Sequence, residues 1–199
     1  HAAQGQSSIT GAKVACTDGT AGPYPCKDAD LLSVLSIEAL GGTADTDLND
    51  VWGWTDPQTG TEYALVGRTD GTAFVDVSSP TEPVYVGTLP SRTTASAWRD
   101  VKVYDDHAFI VSEAPGHGMQ VFDLTRLRDV GADERPKMFD ATAHYAGSDS
   151  VRLETAHNVA VNGETGFAYI VGGDASGSAE TRRGRPRIVN GASPAAPTL

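Results

Sequence analysis

A long phrase recurs three times in this chain, and it limits the folds available. Its clearest copy runs Tyr63-Ala-Leu-Val-Gly-Arg-Thr-Asp-Gly-Thr-Ala-Phe-Val-Asp-Val-Ser-Ser-Pro-Thr-Glu-Pro83. An apolar run ends at Arg68, Thr69-Asp70-Gly71 reads as a turn, and Ala73 to Val77 reads as the return strand. The turn is expected because glycine accepts positive φ without steric cost. Asp76 opens an exit punctuated by Pro80 and Pro83, through which no regular strand continues. The second copy is His107-Ala-Phe-Ile-Val-Ser-Glu113 followed by Gly118-Met-Gln-Val-Phe-Asp-Leu124. The third is Gly166-Phe-Ala-Tyr-Ile-Val-Gly-Gly173 followed by Ile188-Val-Asn-Gly-Ala-Ser-Pro-Ala-Ala-Pro197. Self-similarity at a spacing of about 50 residues marks a repeat architecture.

Each copy is preceded by another strand-like segment. These are Asn49-Asp50-Val51-Trp52-Gly53-Trp54, Trp98-Arg99-Asp100-Val101-Lys102-Val103 and Ala156-His157-Asn158-Val159-Ala160-Val161. Turns follow at Asp56 to Gly60, at Asp105-Asp106 and at Asn162 to Gly166. Pro83 to Leu89 reads as a fourth strand, and Lys137 to Tyr145 as its counterpart after the charged connection Thr125 to Pro136. With 22 glycines and 11 prolines, the composition suits short strands joined by many turns. Four short antiparallel strands per repeat predict an all-β chain, a β-propeller with about three blades, at 48–90, 97–145 and 155–199. The third blade is expected to lack its outer strand. Closed propellers have about four to eight blades. The chain is therefore expected to be the N-terminal part of a longer protein. Its open faces are expected either to self-associate or to meet missing C-terminal blades.

Residues 1–47 read as an N-terminal arm. The apolar run Leu31 to Leu40 fits a short helix or an outer strand, and Gly41-Gly42 ends it. Cys16 and Cys26 lie close together in a segment rich in glycine and proline. A metal or redox pair would want Cys-x-x-Cys spacing or a nearby histidine, and neither is present. A local disulfide stapling a loop without a core is the better reading. It implies an oxidising compartment and a secreted or cell-surface location, extracellular or periplasmic, and His1-Ala-Ala-Gln reads as a mature or trimmed start. No apolar run approaches the roughly 20 residues of a membrane helix. The net charge is -11, and the basic cluster Arg182-Arg183-Gly184-Arg185-Pro186-Arg187 is short, which argues against a nucleic-acid partner.

Several long words, in order, resemble the LVIVD-repeat proteins, and closely the extracellular propellers called the choice-of-anchor B family. They are Cys16 with Cys26-Lys-Asp-Ala-Asp-Leu-Leu32, Asn49-Asp-Val-Trp-Gly-Trp54, Tyr63-Ala-Leu-Val-Gly67 and Gly71-Thr-Ala-Phe-Val-Asp-Val77. Trp98-Arg-Asp-Val-Lys-Val103, Phe109-Ile-Val-Ser-Glu113, Gly116-His-Gly-Met-Gln-Val-Phe-Asp123 and Thr155-Ala-His-Asn158 continue the match. The resemblance covers residues 13–175 and implies a secreted or surface-attached propeller without a settled biochemical activity. It breaks after Gly173, where Ala179-Glu-Thr-Arg-Arg-Gly-Arg-Pro-Arg187 replaces a glycine-rich strand. A local reading-frame error and a true loop variant both account for that basic patch.

Aligned first strands place Asn49-Asp50, Arg99-Asp100 and His157-Asn158 at equivalent positions, the expected rim of a central channel. Asp50, Arg99, Asp100, His157 and Asn158 are thus the candidate channel ligands. Asp50, Asp100 and His157 form the candidate metal set, suited to a divalent cation. A polar ligand with His157 as base is the other chemistry these groups offer. Equally, Asp and Asn at strand starts bond backbone amides and recur simply because the repeats do. Asp76 and Asp123 each open a turn and read as structural. Trp52, Trp54 and Trp98 read as packing between blades rather than a sugar platform. His117 is expected on an exposed hairpin tip, with Glu113 reaching the same face. No nucleophile elbow, P-loop, dinucleotide fingerprint or zinc-protease motif occurs. Gly172-Gly-Asp-Ala-Ser-Gly177 matches a calcium loop in composition only. The leading expectation is an extracellular or surface-associated binding scaffold with a protein or cell-surface partner, and not an enzyme. The alternative is a channel-centred, metal-assisted hydrolase or oxidoreductase.

Overall fold

The computed structural model describes residues 7–148, 151–173, 187–194 and 196–197. The stretch from Ala179 to Pro186 and most of the calcium-like loop lie outside them. The chain is all-β, built from several antiparallel sheets, with helical structure limited to short 3-10 turns among the described residues. The arm carries a small hairpin, β1 (Thr20–Ala21) with β2 (Tyr24–Pro25), beside the Cys16–Cys26 disulfide. The run from Leu31 to Leu40 is neither of the two forms its apolarity suggests. Leu31 and Val34 make single bridges to Val14 and Ile9, and Glu38–Leu40 closes one 3-10 turn against Gly41.

The first sheet holds β3 (Leu48–Thr55), β4 (Glu62–Arg68), β5 (Gly71–Asp76) and β6 (Val84–Pro90) in sequence order. The second holds β7 (Arg99–Tyr104), β8 (His107–Ser112) and β9 (Met119–Asp123). The segment expected as one fourth strand is divided between two sheets. β10 (Lys137–Met138) runs parallel to β6 on the edge of the first sheet, and β11 (Ala143–Tyr145) completes the second. Gly87 decides this division. A Cβ there would collide with the Lys137 carbonyl, so only glycine lets β10 approach. After the short pair β12 (Gly147–Ser148) and β13 (Val151–Arg152) comes the third sheet. It holds β14 (Asn158–Val161), β15 (Phe167–Val171) and β16 (Arg187–Asn190).

The turns follow the side chains that make them. Asp105 and Asp106 both take positive φ, 45° and 57°, giving the two-residue hairpin whose twist matches its strands. Gly71 corrects the expectation placed on it, because its φ is not positive. It is needed for space, since a Cβ would sit 2.5 Å from the Leu89 carbonyl oxygen.

The second sheet lies between the other two and is buried on both faces, so β8 reads as an unbroken apolar run. Leu65, Phe74, Val86, Val101, Ile110 and Phe122 fill the layer against the first sheet. There Phe74 stacks on Phe122 at 4.7 Å, and Phe139 meets Phe122 edge-on at 5.1 Å. Phe109, Val111, Met119, Val159, Ile170 and Val189 fill the layer against the third. Between the first two layers, Arg128 clamps the fully buried Asp56 carboxylate through bonds of 2.6 and 2.7 Å. That pair holds Asp56 far below the usual carboxylate range.

The arm joins this body through the first sheet. Gly11 donates to the Thr81 carbonyl at 2.7 Å, and the Leu40 carbonyl accepts from Arg68 Nη1. Since Cys16–Cys26 closes a loop within the arm, its effect is local. Reduction is expected to free both thiols, as intact mass would show, and to loosen the arm by about 2 kcal/mol. The main unfolding transition should stay in place. Two free thiols in the native protein would overturn this.

Candidate functional site

The first strands β3, β7 and β14 begin at one end of the molecule, and the candidate residues lie at these starts. In an antiparallel pair, alternate N–H groups point away from the partner strand. At an outer strand those groups need another acceptor. The Glu113 N–H donates to the Trp98 carbonyl at the mouth of the β7–β8 pair, so the Val101 N–H faces outward by alternation. Asp50 of the first sheet accepts it through Oδ2 at 2.9 Å. One sheet further on, Asp100 Oδ2 accepts from the Val159 N–H at 2.7 Å. Each aspartate therefore pins the next sheet's first strand. Asn49 adds a second tie, donating through Nδ2 to the Ala97 carbonyl at 2.6 Å.

The cation that two neighbouring carboxylates invite is supplied by the chain itself. Lys102 Nζ lies 2.5 Å from Asp100 Oδ1, 3.8 Å from Asp50 Oδ2 and 2.9 Å from the Val101 carbonyl. The same ammonium lies 4.5 Å from the centre of the Trp52 ring. Burial and the Asp100 carboxylate push Asp50 up, against the Val101 N–H and Lys102. Burial also acts to raise Asp100, but the bonds from Lys102 and the Val159 N–H outweigh it and hold Asp100 below the ordinary range.

His157 does not join them. Its Nδ1 lies 2.6 Å from Glu113 Oε1, and its ring stands 5.7 Å from that of Trp98. Among the described residues, no group of three His, Cys, Asp or Glu side chains is placed to hold a metal. The set of Asp50, Asp100 and His157 is thus not assembled as expected. The two aspartates come together and are spent on backbone and lysine, while His157 turns to Glu113.

Arg99 is also corrected. Adjacent strand residues face opposite sides, so with Asp100 on the junction Arg99 points the other way. It is buried, donating from Nε to the Arg68 carbonyl at 3.0 Å and from Nη1 to His117 Nε2 at 3.0 Å. Its Nη2 is buried without a hydrogen-bond partner among the described residues. Burial lowers its pKa to about 10.

His117, expected on an exposed tip, is 0% exposed. Its Nδ1–H donates to the Gly118 carbonyl at 3.0 Å, which leaves Nε2 to accept from Arg99. Burial first, then the Arg99 charge, lower its pKa to about 4. Gln120 stands beside it, with Oε1 3.0 Å from Nε2, and ties the cluster to the Pro90 carbonyl.

The tryptophans divide. Trp54 is buried, stacked on Tyr63 and donating to Asp106 Oδ1 at 3.0 Å, which fits packing between sheets. Trp98 is 54% exposed. With His157 and Glu113 it forms an accessible patch of one indole, one imidazole and one carboxylate where the second and third sheets meet. The asparagine of the third repeat, Asn158, is exposed.

Scans against family models, curated proteins and solved structures return no match to this chain.

Proposed function

We propose that this chain is an arc of a β-propeller that serves as an extracellular or surface-associated binding scaffold, its contact patch formed by Trp98, Glu113 and His157. One observation carries the reading. The carboxylates best placed for chemistry, Asp50 and Asp100, are engaged by the next sheet's N–H groups and by Lys102. A scaffold uses strand starts in that way, whereas a metal enzyme would leave them open to its ion. The patch has the chemistry of a contact surface, since an indole face and a hydrogen-bonded imidazole–carboxylate pair suit a protein or glycan partner. The Cys16–Cys26 disulfide supports a secreted or surface location.

The channel-centred enzyme expected on Asp50, Asp100 and His157 has no assembled set, and an enzymatic reading would have to rest on the Glu113–His157 pair instead. Glu113 orients His157 through Nδ1, and among the described residues Nε2 has no hydrogen-bond partner, as a base requires.

Elemental analysis after dialysis separates the two classes. No stoichiometric metal is expected, because Lys102 already occupies the seat between the carboxylates. The labelled chain should bind intact cells of its own source, and Trp98→Ala or His157→Ala should weaken that binding at least tenfold while the fold persists. Retained stoichiometric metal, or binding indifferent to both substitutions, would overturn the proposal.

A further inference from the structure

We infer that the Trp98 patch binds a neutral hexopyranose of a cell-surface glycan, the sugar ring lying on the indole face with its hydroxyls against Glu113 and His157. The inference rests on the scaffold reading and names the chemistry of its partner. It departs from the packing role that the sequence suggests for this tryptophan.

Trp98 is held in place and yet left open. The backbone before it is tied to the first sheet. There the Ser96 N–H donates to the Thr69 carbonyl at 2.9 Å, and the Ala97 carbonyl accepts from Asn49 Nδ2 at 2.6 Å. Its own carbonyl is tied to the second sheet, accepting from the Glu113 N–H at 3.2 Å and from Ser112 Oγ at 3.0 Å. The indole on this anchored backbone is 54% exposed, and its N–H has no hydrogen-bond partner among the described residues. Trp54 shows what a packing tryptophan does in the same fold. It is buried, its ring stacks on Tyr63 and its N–H is bonded to Asp106. A platform ordered before its ligand arrives loses little entropy on binding.

The groups beside the ring complete a sugar site. The His157 ring centre lies 5.7 Å from that of Trp98, and its Nδ1–H donates to Glu113 Oε1 at 2.6 Å. That bond occupies one nitrogen and one oxygen. Glu113 Oε2 and His157 Nε2 remain as acceptors without a partner among the described residues, and the indole N–H remains as a donor. A sugar hydroxyl both donates and accepts, so neighbouring hydroxyls on one ring can satisfy all three. The indole face suits the rest of the ligand. A pyranose presents a flat patch of C–H groups, slightly positive, to a ring whose face is negative.

A protein hot spot would be built differently. Its central aromatic is surrounded by contacts that exclude water. Trp98 is flanked instead by a carboxylate and an imidazole that are themselves exposed. The Glu113 carboxylate, on a chain of net charge -11, also selects against acidic sugars.

Saturation-transfer NMR of the full chain with the methyl glycosides of glucose, galactose and mannose tests this. At least one should take up saturation on its ring C–H protons, with a dissociation constant on the order of 1 mM for one sugar on one platform. Trp98→Ala should weaken that binding about tenfold or more, and Glu113→Ala several-fold, with thermal midpoints near wild type. The uronate counterpart of the best ligand should bind several-fold more weakly than the neutral sugar. No transfer to any of the three glycosides, binding that either substitution leaves unchanged, or a uronate bound as well as its neutral counterpart overturns the inference. The scaffold reading is judged separately, on cells whose surface sugars have been oxidised by periodate. Binding that survives the oxidation and still needs Trp98 would keep the scaffold, with a protein partner, and overturn the sugar. Binding to untreated cells that is indifferent to Trp98 would overturn the scaffold itself.

Discussion

Lowering the pH from 6.5 to about 4 is expected to remove about 3 kcal/mol of stability through His117 alone. The folded protein holds this imidazole neutral, buried against the Arg99 guanidinium, with Arg92 adding positive charge nearby. Protonation would set an N–H against the Arg99 donor, so the folded pKa lies below the unfolded value of 6.5. The unfolded chain therefore takes up a proton first as the pH falls. The contribution is complete above pH 6.5 and is lost progressively down to about pH 4. Urea unfolding at steps across that window would follow it. His117→Gln keeps an acceptor for Arg99 but cannot titrate, so its stability should change far less over the window, whatever its stability at neutral pH. Parallel profiles for wild type and variant would show that His117 is not the source. The buried Asp56 is lowered from 3.8, so its share is present above 3.8 and is lost only as the pH falls further. The two effects therefore separate along the pH axis.

The strands were legible because burial writes itself into sequence. Ala108 to Val111 is apolar throughout, since both faces of β8 are covered, and Asp105-Asp106 carries the chemistry of its own turn. What an isolated phrase cannot disclose is which neighbour a polar side chain meets. Arg99 and Asp100 are adjacent, yet one goes into a buried cluster and the other to the junction. His117 looks like a tip residue between two glycines. Gly116 and Gly118, at φ of 72° and 63°, instead fold the loop back over it. Its partner Arg99 sits on β7, 18 residues away in the chain, so no local spacing announces it. The division of 137–145 depends on Gly87 in another repeat. Lys102 is the residue whose role was most accessible. A lysine two places after Asp100, in a repeat where Trp52 and Ala160 hold that place, marks a cation supplied by the chain.

Asp100→Ala is expected to destabilise the fold by about 2–3 kcal/mol. Two losses combine. The Val159 N–H loses its acceptor in a buried junction, and Lys102 loses its nearer carboxylate. Asp100→Asn should cost less, because the amide oxygen can still take the Val159 N–H while only the ion pair is lost. Asp50→Ala should also cost less, since the Asp50 side chain is 28% exposed against 8% for Asp100, and water can replace it at the Val101 N–H. Denaturation midpoints for the three variants should therefore fall in the order Asp100→Ala lowest, with the other two nearer wild type. A cycle pairing Asp100→Asn with Lys102→Met should show coupling, because each substitution removes the same ion pair. A channel-ligand role makes the opposite forecast. Carboxylates held together for a ligand repel each other in its absence, so replacing one would leave stability unchanged or raise it. An Asp100→Ala midpoint at or above wild type would thus return these two aspartates to the list of binding residues.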